Sequence, residues 1–235
     1  MKEDNKTSRT DILDDLIREM RWLMPKRPLS LTESYRRAEL QATRILELLG
    51  FNEPGVNLNF ILDLPKLDVR LGAGYKMEGL SGLTTFTQGS YLILVNKSDG
   101  HARRRFTLAH EFKHVLDYTL APVIHRSLGY GDEARRAQQI EAICNHFAAS
   151  LLMPRTWIKR VWTNGIQDLT ALAGLFKVSE EAMAKRLRFL GYIDDEPREV
   201  RTYFRVDGTT DVSSEGRRGT WQPEGYQPAA ALNAA

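Results

Sequence analysis

Apolar residues recur at helical spacing in two stretches near the start of the chain. Leu13, Leu16, Ile17, Met20 and Met24 mark one face of a helix over 10–24, which Pro25 ends. Tyr35, Ala38, Ala42, Ile45, Leu46 and Leu49 mark a second helix. Ser30 and Glu33 supply a capping-box pattern at its start, and Gly50 suits the position after its end. From residue 51 to 100 the rhythm changes. This stretch is rich in glycine, and Leu67–Leu71, Gly82–Thr87 and Tyr91–Val95 read as strands. Gln88-Gly89-Ser90 predicts a hairpin turn between the last two. Helical spacing returns at about 103–119 and 133–152, then in a short pair over 168–176 and 179–190. Ser179 is the expected N-cap of the last helix, with Glu180 and Glu181 in its first turn and Gly191 at its end.

These patterns predict an α+β fold in four parts. N-terminal helices occupy 1–50, a core occupies 51–160, a C-terminal helical subdomain occupies 161–193, and a tail runs over 194–235. The tail is polar, rich in Gly, Thr, Ser and Asp, and expected to be disordered. Composition narrows the class. Of 235 residues, 42% are hydrophobic and 27% charged, which excludes a fibrous or wholly disordered protein. Apolar runs such as Tyr91-Leu92-Ile93-Leu94-Val95 fall far short of the about 20 residues that a membrane helix needs. No membrane partner is therefore expected. The N-terminus is polar and lacks the apolar region of a secretory signal. A single cysteine, Cys144, excludes an internal disulfide and fits a reducing compartment, so the expected location is the cytoplasm. The net charge of +3 does not by itself imply a nucleic-acid surface.

The strongest chemical pattern is His110-Glu111-Phe112-Lys113-His114. On a helix, positions i and i+4 share a face, so His110 and His114 can reach one metal ion. Glu111 lies one residue round and can take a proton from water activated there. Leu108, Phe112, Val115 and Leu116 supply a core-facing stripe, which sets the histidines beside the core. The next helix offers a third ligand. Ile140, Ile143, Phe147 and Leu151 form its buried stripe, and Glu141 and Asn145 share an adjoining face. Glu141 can supply a carboxylate oxygen, and Asn145 can orient a ligand by hydrogen bonding. Cys144 can share the face of Glu141, although a small buried hydrophobe is its ordinary reading. His146 points about 140° away from Glu141 on the helix wheel. Glu133 lies near the start of its helix, and His101 and His125 read as solvated loop residues.

Arg104-Arg105-Phe106-Thr107-Leu108-Ala109-His110-Glu111, followed by Glu141, Asn145, Phe147-Ala148-Ala149 and Leu151-Leu152-Met153-Pro154, resembles the ImmA/IrrE family of zinc metallo-endopeptidases. Leu80-Ser81-Gly82, Ile93-Leu94-Val95-Asn96, Ala173-x-x-Phe176-x-Val178-Ser179 and Arg186-Leu187-x-x-Leu190-Gly191 extend the resemblance to roughly 31–193. It implies a gluzincin-like site, with His110, His114 and Glu141 as ligands of one Zn2+ per protein and Glu111 as catalytic general base. Mn2+ or another divalent ion also suits such ligands. It implies a zincin-like domain with a small antiparallel sheet packed on the active-site helices. Family members are bacterial or carried on mobile elements, and several cut a helix-turn-helix repressor. The expected partner is thus a protein substrate, a repressor whose cleavage switches on genes. Two positions depart from the family pattern: Lys113 where Gly is common, and Tyr118 where another His is common. Tyr118 shares the His114 face and can hydrogen-bond substrate. The edge of the Tyr91–Asn96 strand is expected to hold substrate by strand addition.

Two other functions compete. Leu169–Ile193 has the rhythm of a helix-turn-helix, with Lys185, Arg186 and Arg188 on its second helix, so a DNA-binding regulator is one alternative. The other is an antirepressor that holds its partner without cutting it, in which case Glu111 is dispensable. The run Arg103-Arg104-Arg105 opposes the dipole of the helix it begins. The sequence carries no signature of oligomeric state.

Overall fold

The computed structural model describes residues 9–73, 77 and 79–194. The remainder of the tail predicted over 194–235 lies outside the described residues. The elements in order are α1 (Arg9–Trp22), α2 (Leu31–Leu48), α3 (Asn59–Leu62), β1 (Leu67–Gly72), β2 (Gly82–Thr87), β3 (Ser90–Asn96), α4 (His101–Asp117), α5 (Ala121–Ile124), α6 (Glu133–Leu152), α7 (Arg155–Thr163), α8 (Leu169–Phe176) and α9 (Glu180–Leu190). No helix among the described residues is long and apolar enough to cross a membrane.

Local signals set most boundaries. The capping box forms at the start of α2, where Ser30 Oγ accepts from the Glu33 amide and Glu33 accepts from the Ser30 amide. The Ser179 hydroxyl accepts from the Ala182 amide, and Gly191 ends α9 in the left-handed region at φ 76°. Gln88 and Gly89 have φ of 51° and 79°, which is the two-residue turn that matches the twist of a β-hairpin.

The class is α+β, and the sheet is mixed. β2 pairs antiparallel with β3, whereas β1 pairs parallel with it, so the strand order is β1-β3-β2. The sheet is therefore not wholly antiparallel, as the resemblance implied. After β1 the backbone passes to the far side of the sheet to start β2, and the hairpin then returns β3 into the middle. The edge strand beside the helices is therefore β2, not the Tyr91–Asn96 strand. β3 takes the centre because its alternate residues Tyr91, Ile93 and Val95 are buried.

The main core joins most of the described helices to the sheet, and Ile124 of α5 packs in a second, smaller cluster with Met24 and Leu29. Leu16 and Met20 of α1, Ala42 and Ile45 of α2, Phe112 and Val115 of α4, and Ile143 and Phe147 of α6 belong to the main core. Polar ties reinforce this packing. Arg21 of α1 donates to the last carbonyls of α4, at 2.9 Å to Val115 O and 3.1 Å to Leu116 O, and to the Tyr91 hydroxyl at 2.7 Å. A guanidinium there satisfies carbonyls that the helix leaves open. On the core side of α4, Lys113 Nζ donates to Gln41 Oε1 at 2.7 Å and Asp117 Oδ1 at 2.6 Å. Gln41 in turn donates to Met20 O at 2.8 Å. Burial pushes the Asp117 carboxyl up, but Lys113 and His125 outweigh it and hold it below its usual range.

Candidate metal centre

α4 and α6 pack side by side and carry the site residues. His110 and His114 stand one turn apart on α4, and their Nε2 atoms are 3.3 Å apart. Glu141 reaches across from α6. Its Oε2 lies 3.1 Å from His110 Nε2 and its Oε1 lies 3.5 Å from His114 Nε2. The two imidazole nitrogens and the Glu141 carboxylate thus form a triangle of donor groups with contacts of 3.1–3.5 Å, each imidazole facing a different carboxylate oxygen. Tetrahedral zinc with bonds of about 2.0–2.2 Å has ligand–ligand edges of about 3.3 Å, so the set fits such an ion.

The chemistry of the donors agrees with the spacing. His110 Nδ1 lies 2.9 Å from Asn145 Oδ1, so Nδ1 can donate there, and a metal ion would take the place of a proton on Nε2. Hydrogen bonding to His110 and His114 holds the Glu141 carboxyl well below the ordinary carboxylate range, so it is ionised. Burial pushes the His110 pKa down, but Glu141, Glu111 and Asn145 raise it overall. Cys144 Sγ lies within 4.8 Å of ligand nitrogens of His110 and His114, and this trio is a candidate metal-holding group among the described residues. Burial raises the Cys144 thiol well above its usual pKa, which keeps it protonated, whereas Glu141 is already charged.

Glu111 is placed by the sheet. Its carboxylate accepts from Thr84 Oγ at 2.7 Å. Two residues earlier, a Cβ on Gly82 would lie 2.5 Å from Thr107 Cγ2 and 2.6 Å from Glu111 Oε1, so only glycine lets β2 come this close. The sequence reading missed Thr84 and Gly82. The alternation of a strand, which puts residues 82, 84 and 86 on one face, was the signal available. An open groove of about 850 Å³ runs from His110, Glu111 and Glu141 to α9, between the start of β2 and α6.

The other candidates fall elsewhere. His146 lies outside the metal cluster, as its place on the helix wheel predicted, and packs against Tyr35 and Phe189, with ring centroids 4.9 Å away in each case. Glu133 is exposed and pairs with Arg136 at 2.8 Å. His101 begins α4. His125 is not a solvated loop residue: it is buried, with Nε2 3.4 Å from Asp117 Oδ2, because α5 folds back against the end of α4. Tyr118 is half-exposed, and its ring packs on Phe86 and Tyr91. Two members of the basic run at the start of α4 make tertiary contacts. Arg103 donates to Ser81 Oγ at 2.9 Å, and Arg105 donates to Val56 O at 2.8 Å and Lys177 O at 3.1 Å. Arg186, expected on a basic face of its helix, points inward and donates to Met153 O at 3.1 Å. Lys185 is paired with Glu181 at 2.6 Å.

The model of the peptidase M78 family, described as the IrrE N-terminal-like domain, matches residues 70–188. The protein belongs to this family. That stretch contains His110, Glu111, His114 and Glu141. Two curated relatives are radiation response metalloproteases IrrE. The one from Deinococcus deserti is 37% identical over 125 residues, covering 47% of this protein and 43% of its own length. The one from Deinococcus radiodurans is 37% identical over 99 residues, covering 41% and 29%. The match therefore spans less than half the length of these curated relatives. A solved structure, a Mycobacterium tuberculosis transcriptional regulator, matches with a TM-score of 0.53 at 16% identity, covering 84% of this protein and 59% of that one. At that identity the likeness shows the fold alone.

Proposed function

We propose that this M78-family protein is a zinc-dependent endopeptidase with His110, His114 and Glu141 as metal ligands and Glu111 as general base. The observation that carries the reading is the triangle of donor groups at 3.1–3.5 Å with the Glu111 carboxylate beside it. A metal ion held there supplies Lewis acidity, acidifying water and polarising a carbonyl oxygen. Glu111 takes the proton of the attacking water and passes it to the leaving amine. Thr84 holds the Glu111 carboxylate by one hydrogen bond, and Asn145 keeps the His110 ring turned toward the metal. The outer edge of β2, which starts beside Glu111 and pairs with no further strand among the described residues, aligns an extended peptide by strand addition. The substrate we favour is a specific protein, a helix-turn-helix repressor whose cleavage derepresses stress-response or mobile-element genes. The family resemblance and relatives named for a radiation response support that choice.

Metal content by mass spectrometry is the first test. The expected result is about one zinc per protein molecule, lost in His114→Ala. Asn145→Ala should weaken metal affinity about 10–100-fold. Glu111→Gln should retain the metal and lose cleavage of a co-expressed repressor. Full cleavage by that variant would remove Glu111 as the base. Binding of the repressor without cleavage by the wild type would favour an antirepressor.

A further inference from the structure

Arg186 of α9 is the largest fully buried side chain among the described residues. Its Nε donates to Met153 O at 3.1 Å, while Nη1 and Nη2 have no hydrogen-bond partner among the described residues. The nearest acid is Glu39, whose Oε1 lies 3.9 Å from Nη2, beyond hydrogen-bond reach. That same oxygen lies 3.4 Å from Arg155 Nε. His146 Nε2 also lacks a partner and lies 3.8 Å from Glu39 Oε2. Buried donors are nearly always paired, and a buried guanidinium with open donors is costly. Charge tells the same story. Burial brings the His146 pKa down to about 4, so it is neutral, and two guanidiniums face one carboxylate. The cluster is one negative charge short.

Arg186 and His146 line the same groove as His110, Glu111 and Glu141. Phe189 covers them. Its ring meets the His146 ring edge-on and lies 5.7 Å from the Arg186 guanidinium carbon, yet it is 55% exposed. We propose that this end of the groove is a carboxylate subsite, in which Arg186 Nη1 and Nη2 receive the two oxygens of a carboxylate on the bound peptide as Phe189 turns aside. The paired terminal nitrogens of a guanidinium match the two oxygens of a carboxylate in spacing and plane. The carboxylate comes from an acidic side group or from the C-terminus of the peptide. The proposal rests on the peptidase reading for the identity of the peptide, but its first test needs no turnover.

The Nε–H of Arg186, held by the Met153 carbonyl, is suited to detection by nitrogen-15 NMR, and its signal is assigned by its absence in Arg186→Lys. The wild-type protein is titrated with N-acetyl-glutamate α-amide, N-acetyl-alanine and N-acetyl-glutamine amide. A saturable shift with the first alone assigns an acidic side group, and one with the second alone assigns a C-terminus. Neither acid moving the signal more than the neutral amide does would overturn the proposal. The zinc-loaded protein is then given a proteome-derived peptide library. Cut peptides should carry an acidic residue, or their C-terminus, at a fixed distance from the cleaved bond. Cleavage without that preference overturns the role in substrate recognition and leaves the peptidase reading standing. A retained NMR response with no cleavage supports the carboxylate site and removes the peptidase reading.

Discussion

Lys113 and Arg186 are both buried cations, and their surroundings differ. Lys113 Nζ has Gln41 and Asp117 at 2.7 and 2.6 Å, and Gln41 is itself anchored to Met20. Arg186 has one carbonyl at 3.1 Å and a carboxylate at 3.9 Å. The first charge is consumed by the fold: it ties the core side of α4 to α2 and, through Gln41, to α1. The second is held in place by the fold but left with open donors beside a groove. A buried cation with a carboxylate at hydrogen-bond distance is spent on the fold, and one whose terminal donors lack any partner beside a groove is open to a ligand.

The largest effect expected from this contrast is at Lys113. Lys113→Met leaves Asp117 buried beside a neutral residue and should cost about 3–5 kcal/mol in urea unfolding at fixed zinc. Adding Asp117→Leu should recover most of that loss. A single-variant cost near zero would dissolve the contrast. Arg186→Met removes one good hydrogen bond and leaves Glu39 paired with Arg155, so the loss should be about 1 kcal/mol in the same assay. A loss as large as that at Lys113 would mean that the Arg186 donors are already satisfied. A separate effect is in pH dependence. His146 titrates near 4 in the fold, chiefly through burial, and near 6.5 when unfolded. The unfolded protein therefore takes up its proton first, and stability should fall as pH drops from about 6.5 to about 4. His146→Phe, between Tyr35 and Phe189, should flatten that part of the profile.

The local parts of this architecture are legible in the sequence because they depend on near neighbours. The Ser30–Glu33 capping box, the positive-φ turn at Gln88-Gly89 and the i, i+4 pairing of His110 with His114 each span five residues or fewer. Glu141 and Asn145 share a face of α6 for the same reason. α7, with an apolar stripe of Trp157, Ile158, Val161 and Trp162, has no counterpart among the helices read from the sequence.

Tertiary structure alone decided the rest. The order of the strands depends on where the backbone goes after β1, which no alternation pattern encodes, and it transferred the open edge from β3 to β2. Thr84 reaches Glu111 across 27 residues, Arg186 reaches Met153 across 33, and Lys113 reaches Gln41 across 72. Spacing shows which residues share a face of one element. What stands opposite that face is set by the packing of several elements, and so are the buried His125, the inward Arg186 and the glycine that admits β2 to Glu111. The His-Glu-x-x-His pattern is written in the sequence, while the hydrogen bond from Thr84 to Glu111 and the far end of the groove exist only in the folded protein.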